Sequence, residues 1–186
     1  MSSDPSPALA RTASSVSLRF ATRADVPLIL AFIRELAEYE RAPDAVIADQ
    51  ALLAESLFGA QPGAEVVIAE IDGEPAGFAL FFHNFSTWRG RRGLYLEDLF
   101  VRPRFRGHGL GLLLMRYLAR LAVERGCGRF EWWVLDWNTP AIDFYRRLGA
   151  VAMDEWTVQR LDGEALRALA GQFQASGIAL PETASS

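Results

Sequence analysis

Cysteine is almost missing from this chain. Cys127 stands alone among 186 residues, which rules out an internal disulfide and leaves stability to a packed core. Its setting, ERGCGRF between a predicted helix and a predicted strand, suits a small structural residue better than a nucleophile. Long apolar runs are missing as well. Nothing approaches the roughly 18 residues that span a bilayer, and the opening MSSDPSPALARTASSVS carries no continuous apolar stretch of the signal-peptide kind. With the lone thiol, this makes the cytoplasm the expected location. An excess of positive charge is the third absence. The formal net charge is −4, so the field of the whole protein draws neither nucleic acid nor an anionic membrane. There are no internal repeats, and no metal ion is expected.

What is present is enough apolar material for a core, 51% of residues, at a length that fits one domain. Residues 1–15 are rich in Ser, Ala and Pro without periodicity and are expected to form a disordered tail. Residues 175–186 form a second tail, which leaves 16–174 as the folded domain. Val16 to Ala21 alternates as a strand, and Thr22 or Asp25 can cap a helix that accommodates Pro27 and runs to about Arg41. That helix closes on Tyr39 and Glu40, where a carboxylate opposes the helix dipole and hints at another use for Glu40. A second helix is expected near Ile47 to Phe58. Glu65 to Ile71 and Pro75 to Phe82 read as antiparallel strands joined by Asp72-Gly73, a strong hairpin signal. HNFSTWRGRRG reads as a loop whose Arg89, Arg91 and Arg92 are either phosphate contacts or a solvated basic turn. Further on, Arg129 to Asp136 and Val151 to Leu161 read as strands. Asn138 or Thr139 can cap a helix that begins with Pro140, and Gly163 to Phe173 reads as a short last helix.

The most informative stretch runs from Leu94 to Leu114. A strand, LYLEDLFV, feeds the loop RPRFRGHGLG, which opens into a helix whose Leu110, Leu114, Leu118 and Ala122 recur at helical spacing. Strict alternation puts Leu94, Leu96, Asp98 and Phe100 on one face and Tyr95, Glu97, Leu99 and Val101 on the other. Two adjacent acids in an apolar strand must be solvated in a cleft, hydrogen-bonded or partly protonated. Glu97 is the candidate site residue, and Asp98 the candidate for a structural role. The glycine-rich junction gathers unpaired N–H groups and the positive end of the helix dipole, which favours a phosphate-bearing ligand. Passing through this helix to the next strand is a crossover of the βαβ kind, so those two strands should be parallel.

Arg106, Gly109 and Gly111, set between strand and helix, resemble the phosphate loop of the GNAT superfamily of N-acetyltransferases. Over about Val16 to Gly171 the chain is more specifically similar to the spermidine/spermine N-acetyltransferase family and its thialysine N-epsilon-acetyltransferase branch. RELAEYE, FSTWRGR, YLEDLFV, RGHGLG, VLDWNTPAIDFYRRLGA and GEALRALAG carry that resemblance, in the same order. Its implications are an α/β (α+β) GNAT fold with a mixed, mostly antiparallel sheet, a parallel pair at the cofactor cleft and flanking helices. Acetyl-CoA is the implied cofactor, a small-molecule amine the substrate and a homodimer the working form. The backbone of Leu99, Phe100 and Val101 would pair with the pantetheine arm. Arg106, Gly107, His108, Gly109, Leu110, Gly111 and Leu112 would cradle the pyrophosphate. Asn138, Thr139, Pro140 and Ala141 would contact the cofactor from the next helix, and Tyr145 would bring its hydroxyl near the thioester sulfur. Tyr39, Glu40, Trp88, Glu97, Glu131, Trp132 and Trp133 would line the amine site. Where the polyamine enzymes carry an acid before the loop tryptophan this chain reads Ser86-Thr87-Trp88, as the thialysine branch does, which favours lysine-like amines over polyamines.

An alkyl ammonium, with a reference pKa of about 10.4, must lose a proton before it attacks a thioester. Glu97 is the candidate base, through ordered water, and Tyr145 the candidate acid for the departing thiolate. With Cys127 as the only thiol, direct transfer in a ternary complex is expected rather than an acyl-enzyme. Two other functions compete: acetylation of a protein lysine or N-terminus, and a non-catalytic acyl-CoA sensor. Trp132 and Trp133 point opposite ways on a strand, so one can enclose the amine while the other packs elsewhere.

Overall fold

Residues 14–175 are described by a computed structural model; most of the expected tails, residues 1–13 and 176–186, lie outside the described residues. The described residues divide into two compact units after Leu135, the second beginning at Asp136. In the first, β1 (Val16–Phe20) leads to α1 (Val26–Tyr39), whose N-cap is Asp25 and whose first turn holds Pro27 where its missing N–H costs nothing. Next is α2 (Gln50–Phe58), which starts at Gln50 rather than Ile47 because the Asp49 carboxylate accepts the Leu52 N–H at 2.8 Å. Strands β2 (Glu65–Ile71) and β3 (Glu74–Ser86) follow, joined at Asp72 and Gly73 with φ of 51° and 78°, the geometry the dipeptide predicts. Then come β4 (Arg91–Val101), α3 (Leu110–Glu124) and β5 (Phe130–Trp132).

The sheet runs β1-β2-β3-β4-β5, antiparallel except for the parallel pair β4-β5, as the crossover requires. This is the expected mixed, mostly antiparallel α/β architecture. On one face Ile29 and Phe32 of α1 and Leu57 of α2 pack against Val66, Ile68, Phe78, Leu80 and Phe100, with the Phe32 and Phe78 rings stacked at 5.2 Å. By the pleat, Val67, Ala79, Phe81, Leu94 and Leu96 turn to the opposite face, and all are buried. Leu110, Leu114 and Leu118 form the buried stripe of α3.

Three expectations for the first unit need correction. HNFSTWRGRRG is not a loop: β3 continues to Ser86 and β4 starts at Arg91, with Asn84 opposite Gly93 and Ser86 opposite Arg91. Its polar composition hid the pairing, and Gly93 is needed there because a Cβ would run into the Asn84 side chain. The faces of β4 also differ from strict alternation. Phe81 pairs with Leu96 and Leu80 with Asp98, so Glu97 is an extra residue, a β-bulge. Asp98 and Phe100 therefore share a face with Phe78 and Leu80, opposite to Leu94 and Leu96, because one added residue inverts every side chain beyond it. Finally, only Phe130–Trp132 of the expected strand Arg129 to Asp136 is paired.

In the second unit α4 (Thr139–Arg147) and α5 (Gly163–Ala175) form as expected. Val151 to Leu161 forms no strand and is exposed throughout. Alternation alone cannot make one, since the backbone needs a neighbour to take its N–H and C=O groups.

Candidate active site

The bulge at Glu97 sets the chemistry of β4. Glu97 is exposed, whereas Asp98 turns inward beside Leu80 and is half-buried. Burial, the neighbouring Glu97 charge and that of Glu40 push the Asp98 pKa up to about 7. Among the described residues no cation pairs with it. Of the three solutions open to the paired acids, Glu97 takes solvation and Asp98 takes partial protonation. Glu40, just past the end of α1, is raised by burial too. Three carboxyl groups from two elements thus form a site that favours a cation. Tyr95, on the same face, is pushed up to about 12 by burial and by the charges of Glu97 and Glu131.

Glu131 stands opposite Tyr95 on β5 but is already engaged, 2.6 Å from Arg129 Nε and accepting from Asn84 Nδ2 at 3.0 Å. The two tryptophans do face opposite ways. Trp132 pairs with Leu96 and packs on Phe130 at 4.9 Å, while Trp133, exposed, meets the Tyr95 ring edge to face at 5.7 Å. Trp133 is therefore the one on the acidic side. Trp88, in the turn between β3 and β4, is 85% exposed.

Pairing between β4 and β5 covers only Leu94–Leu96. Past the bulge, no strand among the described residues covers that edge of β4, so Leu99, Phe100 and Val101 offer it to an extended ligand. At the end of the strand Arg102 closes on Glu35 of α1, Nη2 at 2.7 Å and Nε at 2.9 Å, and donates to the Pro75 carbonyl at 2.9 Å. It anchors the start of the loop. Sequence reasoning missed this residue, because its partner is 67 positions away and the only local signal was one more arginine in an arginine-rich loop.

The loop itself fits a diphosphate. Gly107 and Gly109 have φ of 81° and 78°, which lets the chain turn directly into α3. A Cβ at Gly107, Gly109 or Gly111 would project into open space, so the absent side chains leave a cradle beside the helix N-terminus. Leu110 at the start of α3 is buried and Leu112 half-buried, fixing the helix that presents these N–H groups. Arg106 Nε donates to the Val101 carbonyl at 2.9 Å, and His108 Nδ1 lies 3.0 Å from the Arg106 carbonyl. Arg91 and Arg92 line, with Arg125, a cavity of about 630 Å³ at the other end of α3, a helix about 22 Å long at 1.5 Å per residue. Arg91 and Arg92 belong to the start of β4 and not to this loop.

The second unit holds the remaining candidates on one helix. Asn138 is buried and caps α4, its side-chain oxygen accepting from Ala141 N–H at 3.4 Å, with Thr139 and Pro140 in the first turn. Tyr145, two turns on, lies on the same side of α4 as Asn138 and packs on Phe144 at 5.3 Å.

Comparison with known proteins bears on these features. Residues 29–150 match the family model described as the acetyltransferase (GNAT) family. The thialysine N-epsilon-acetyltransferase of Sus scrofa is 43% identical over 171 residues, 86% of this chain and 99% of that protein. L-ornithine N5-acetyltransferase NATA1 of Arabidopsis thaliana is 33% identical, over 82% of this chain and 86% of its own length. Among solved structures, an integron cassette protein from the mobile metagenome of V. cholerae superimposes with a TM-score of 0.72 at 29% identity, over 84% of this chain and 98% of the other.

Proposed function

The chain belongs to the acetyltransferase (GNAT) family, and we propose that it moves an acetyl group from acetyl-CoA to the primary amine of a small cationic metabolite of the thialysine, lysine or ornithine kind. The observation that carries this reading is the bulge at Glu97, which puts a solvated carboxylate beside two desolvated ones, next to an open strand edge that leads into the glycine loop. The cofactor's binding residues are Leu99, Phe100 and Val101 by their backbone, Arg106 to Leu112 around the diphosphate, and Asn138 to Ala141 from α4. Acetyl-CoA supplies a thioester whose acyl carbon is open to an amine. Glu40 and Asp98 hold the substrate cation, with Tyr39, Trp88 and Trp133 as walls. Glu131, neutralised by Arg129, and Trp132, on the opposite face, serve to shape the strand. Glu97 draws the proton from the ammonium through water, and Tyr145 gives one to the departing thiolate, which leaves as free CoA thiol. Transfer is direct, in a ternary complex. The names of the relatives support amino-acid amines ahead of polyamines.

Residues 16–174 form the acetyltransferase domain in this reading, working in the cytoplasm as a homodimer, which light scattering on the purified protein would check. The decisive assay supplies acetyl-CoA with lysine, thialysine, ornithine, putrescine, spermidine and a lysine peptide, and measures free thiol. Thialysine, lysine or ornithine should lead in kcat/KM. Equal use of spermidine would overturn the ranking, and preference for the peptide would make the chain a protein acetyltransferase. Binding of acetyl-CoA without thiol release for any amine would leave an acyl-CoA sensor. Tyr145→Phe should lower kcat, and undiminished turnover would remove Tyr145 as the proton donor.

A further inference from the structure

Arg106 makes a contact that phosphate binding does not explain. With Nε held by the Val101 carbonyl at 2.9 Å, its guanidinium lies over the Tyr39 ring, Cζ 4.7 Å from the centroid, and the Phe100 ring centroid is 5.7 Å away. Both distances are within cation–π range. A guanidinium binds phosphate through the edge of its fork and an aromatic ring through its face, so the two contacts coexist on one side chain. Tyr39 is the last residue of α1, and the next one, Glu40, is close enough to Asp98 to influence its charge. The backbone here is tightly specified. Arg41 takes φ of 64°, its N–H donates to Glu38 at 3.1 Å, and Ala42 N–H donates to Ala37 at 2.9 Å, a helix ending that usually requires glycine. One short, fixed turn therefore touches the arginine of the phosphate loop with one residue and the carboxyl cluster with the next.

We propose that Tyr39 is a positioning residue that couples the two halves of the site: its ring holds the Arg106 guanidinium in place for the cofactor's diphosphate, and each ligand thereby tightens binding of the other. This deepens the proposed function and rests on it. A cofactor phosphate fixes the guanidinium and with it the ring and the adjoining Glu40. A cation bound at Glu40 orders the same turn from the other side. Such coupling is reciprocal, so one factor must describe both directions. Loss of a cation–π contact predicts a change of about 2- to 30-fold.

The test uses free CoA, which lacks the acetyl group, with the amine that the assay above turns over best, because this pair forms a ternary complex without turnover. Calorimetry on the full chain gives the CoA Kd with and without saturating amine, and the amine Kd with and without CoA. In the wild type both ratios should agree and exceed about 3. Tyr39→Phe, which keeps the ring, should preserve the ratio. Tyr39→Ala and Tyr39→Leu should bring it near 1 and weaken CoA binding within the predicted range, the loss falling on the acetyl-CoA KM rather than on kcat. A ratio of 1 in the wild type overturns the coupling. If Tyr39→Ala and Tyr39→Leu, confirmed as folded by circular dichroism, bind CoA as the wild type does, Tyr39 is only a wall of the amine site and this proposal fails alone. A wild-type protein that binds no CoA overturns the functional reading as well.

Discussion

The Arg102 guanidinium closes on the Glu35 carboxylate through Nη2 at 2.7 Å and Nε at 2.9 Å, tying the residue that follows β4 to α1. It also lies over the Phe32 ring at 4.6 Å and caps the Pro75 carbonyl. Lysine can keep the charge but not this fork. Arg102→Lys should cost about 1.5–3 kcal/mol, the worth of hydrogen bonds to a charged group, or roughly 3–12 °C of melting temperature for a domain of this size. Thermal melts of the two proteins decide it, and coincident curves would show that the clamp contributes nothing.

Gly111 separates stability from cofactor binding. It lies in the first turn of α3 and an added Cβ there meets nothing within 4 Å. Gly111→Ala should raise stability by about 0.5–1 kcal/mol, as alanine does in a helix. It should also raise the KM for acetyl-CoA, because the methyl group occupies the cradle. Gly109→Ala should weaken both properties, since φ there is 78°. A Gly111→Ala enzyme with unchanged cofactor KM would move the diphosphate elsewhere.

Glu97→Gln preserves shape and removes the proposed base. The kcat/KM for the amine should drop about 10²- to 10⁴-fold, the usual range for positioned acid–base catalysis, with CoA affinity retained because Glu97 is solvent-exposed at the bulge, away from the glycine loop in sequence. Steady-state kinetics and calorimetry together make the check. A loss confined to KM would reassign Glu97 to binding alone.

Asp98 should make stability depend on pH in a particular direction. Its pKa is about 7 in the folded chain against an ordinary 3.8. Between those values the folded protein keeps a proton that the unfolded chain has released, so this contribution is complete below pH 4 and is lost as pH rises through 7. Asp98→Asn cannot ionise, so its melting temperature should gain on the wild type from pH 5 to pH 8. Profiles that stay parallel would contradict the assignment.

Cation binding beside Asp98 favours the carboxylate form, so the amine should release protons as it binds near pH 7. Calorimetric titrations in buffers of different ionisation enthalpy measure this directly. Proton uptake instead of release would place the ammonium away from Asp98.

Much of the site was legible as local pattern. Glycines at 107, 109 and 111 between a strand and an apolar helix announced the glycine loop that opens α3, since backbone conformation and helix capping act over a few residues. Glu97 was singled out because an acid in an apolar strand needs a reason. Its consequence for Asp98 was not legible, nor was the clamp at Arg102. Composition misled at Asn84 to Gly93, where polar residues occupy a paired hairpin, and alternation misled at Val151 to Leu161, where no strand lies alongside.

Local chemistry dictated the order of elements, the Asp72-Gly73 turn, the capping by Asp49 and Asn138, and the loop that opens α3, because each depends on dihedral preferences and hydrogen bonds between near neighbours. Only folding decided which way Asp98 faces, which tryptophan stands beside Tyr95, and that Arg106 meets Tyr39. Those outcomes depend on cross-strand register and on contacts between distant residues, and a single bulge, which exists only where β4 is paired with β3, inverts every side chain of that strand beyond Glu97.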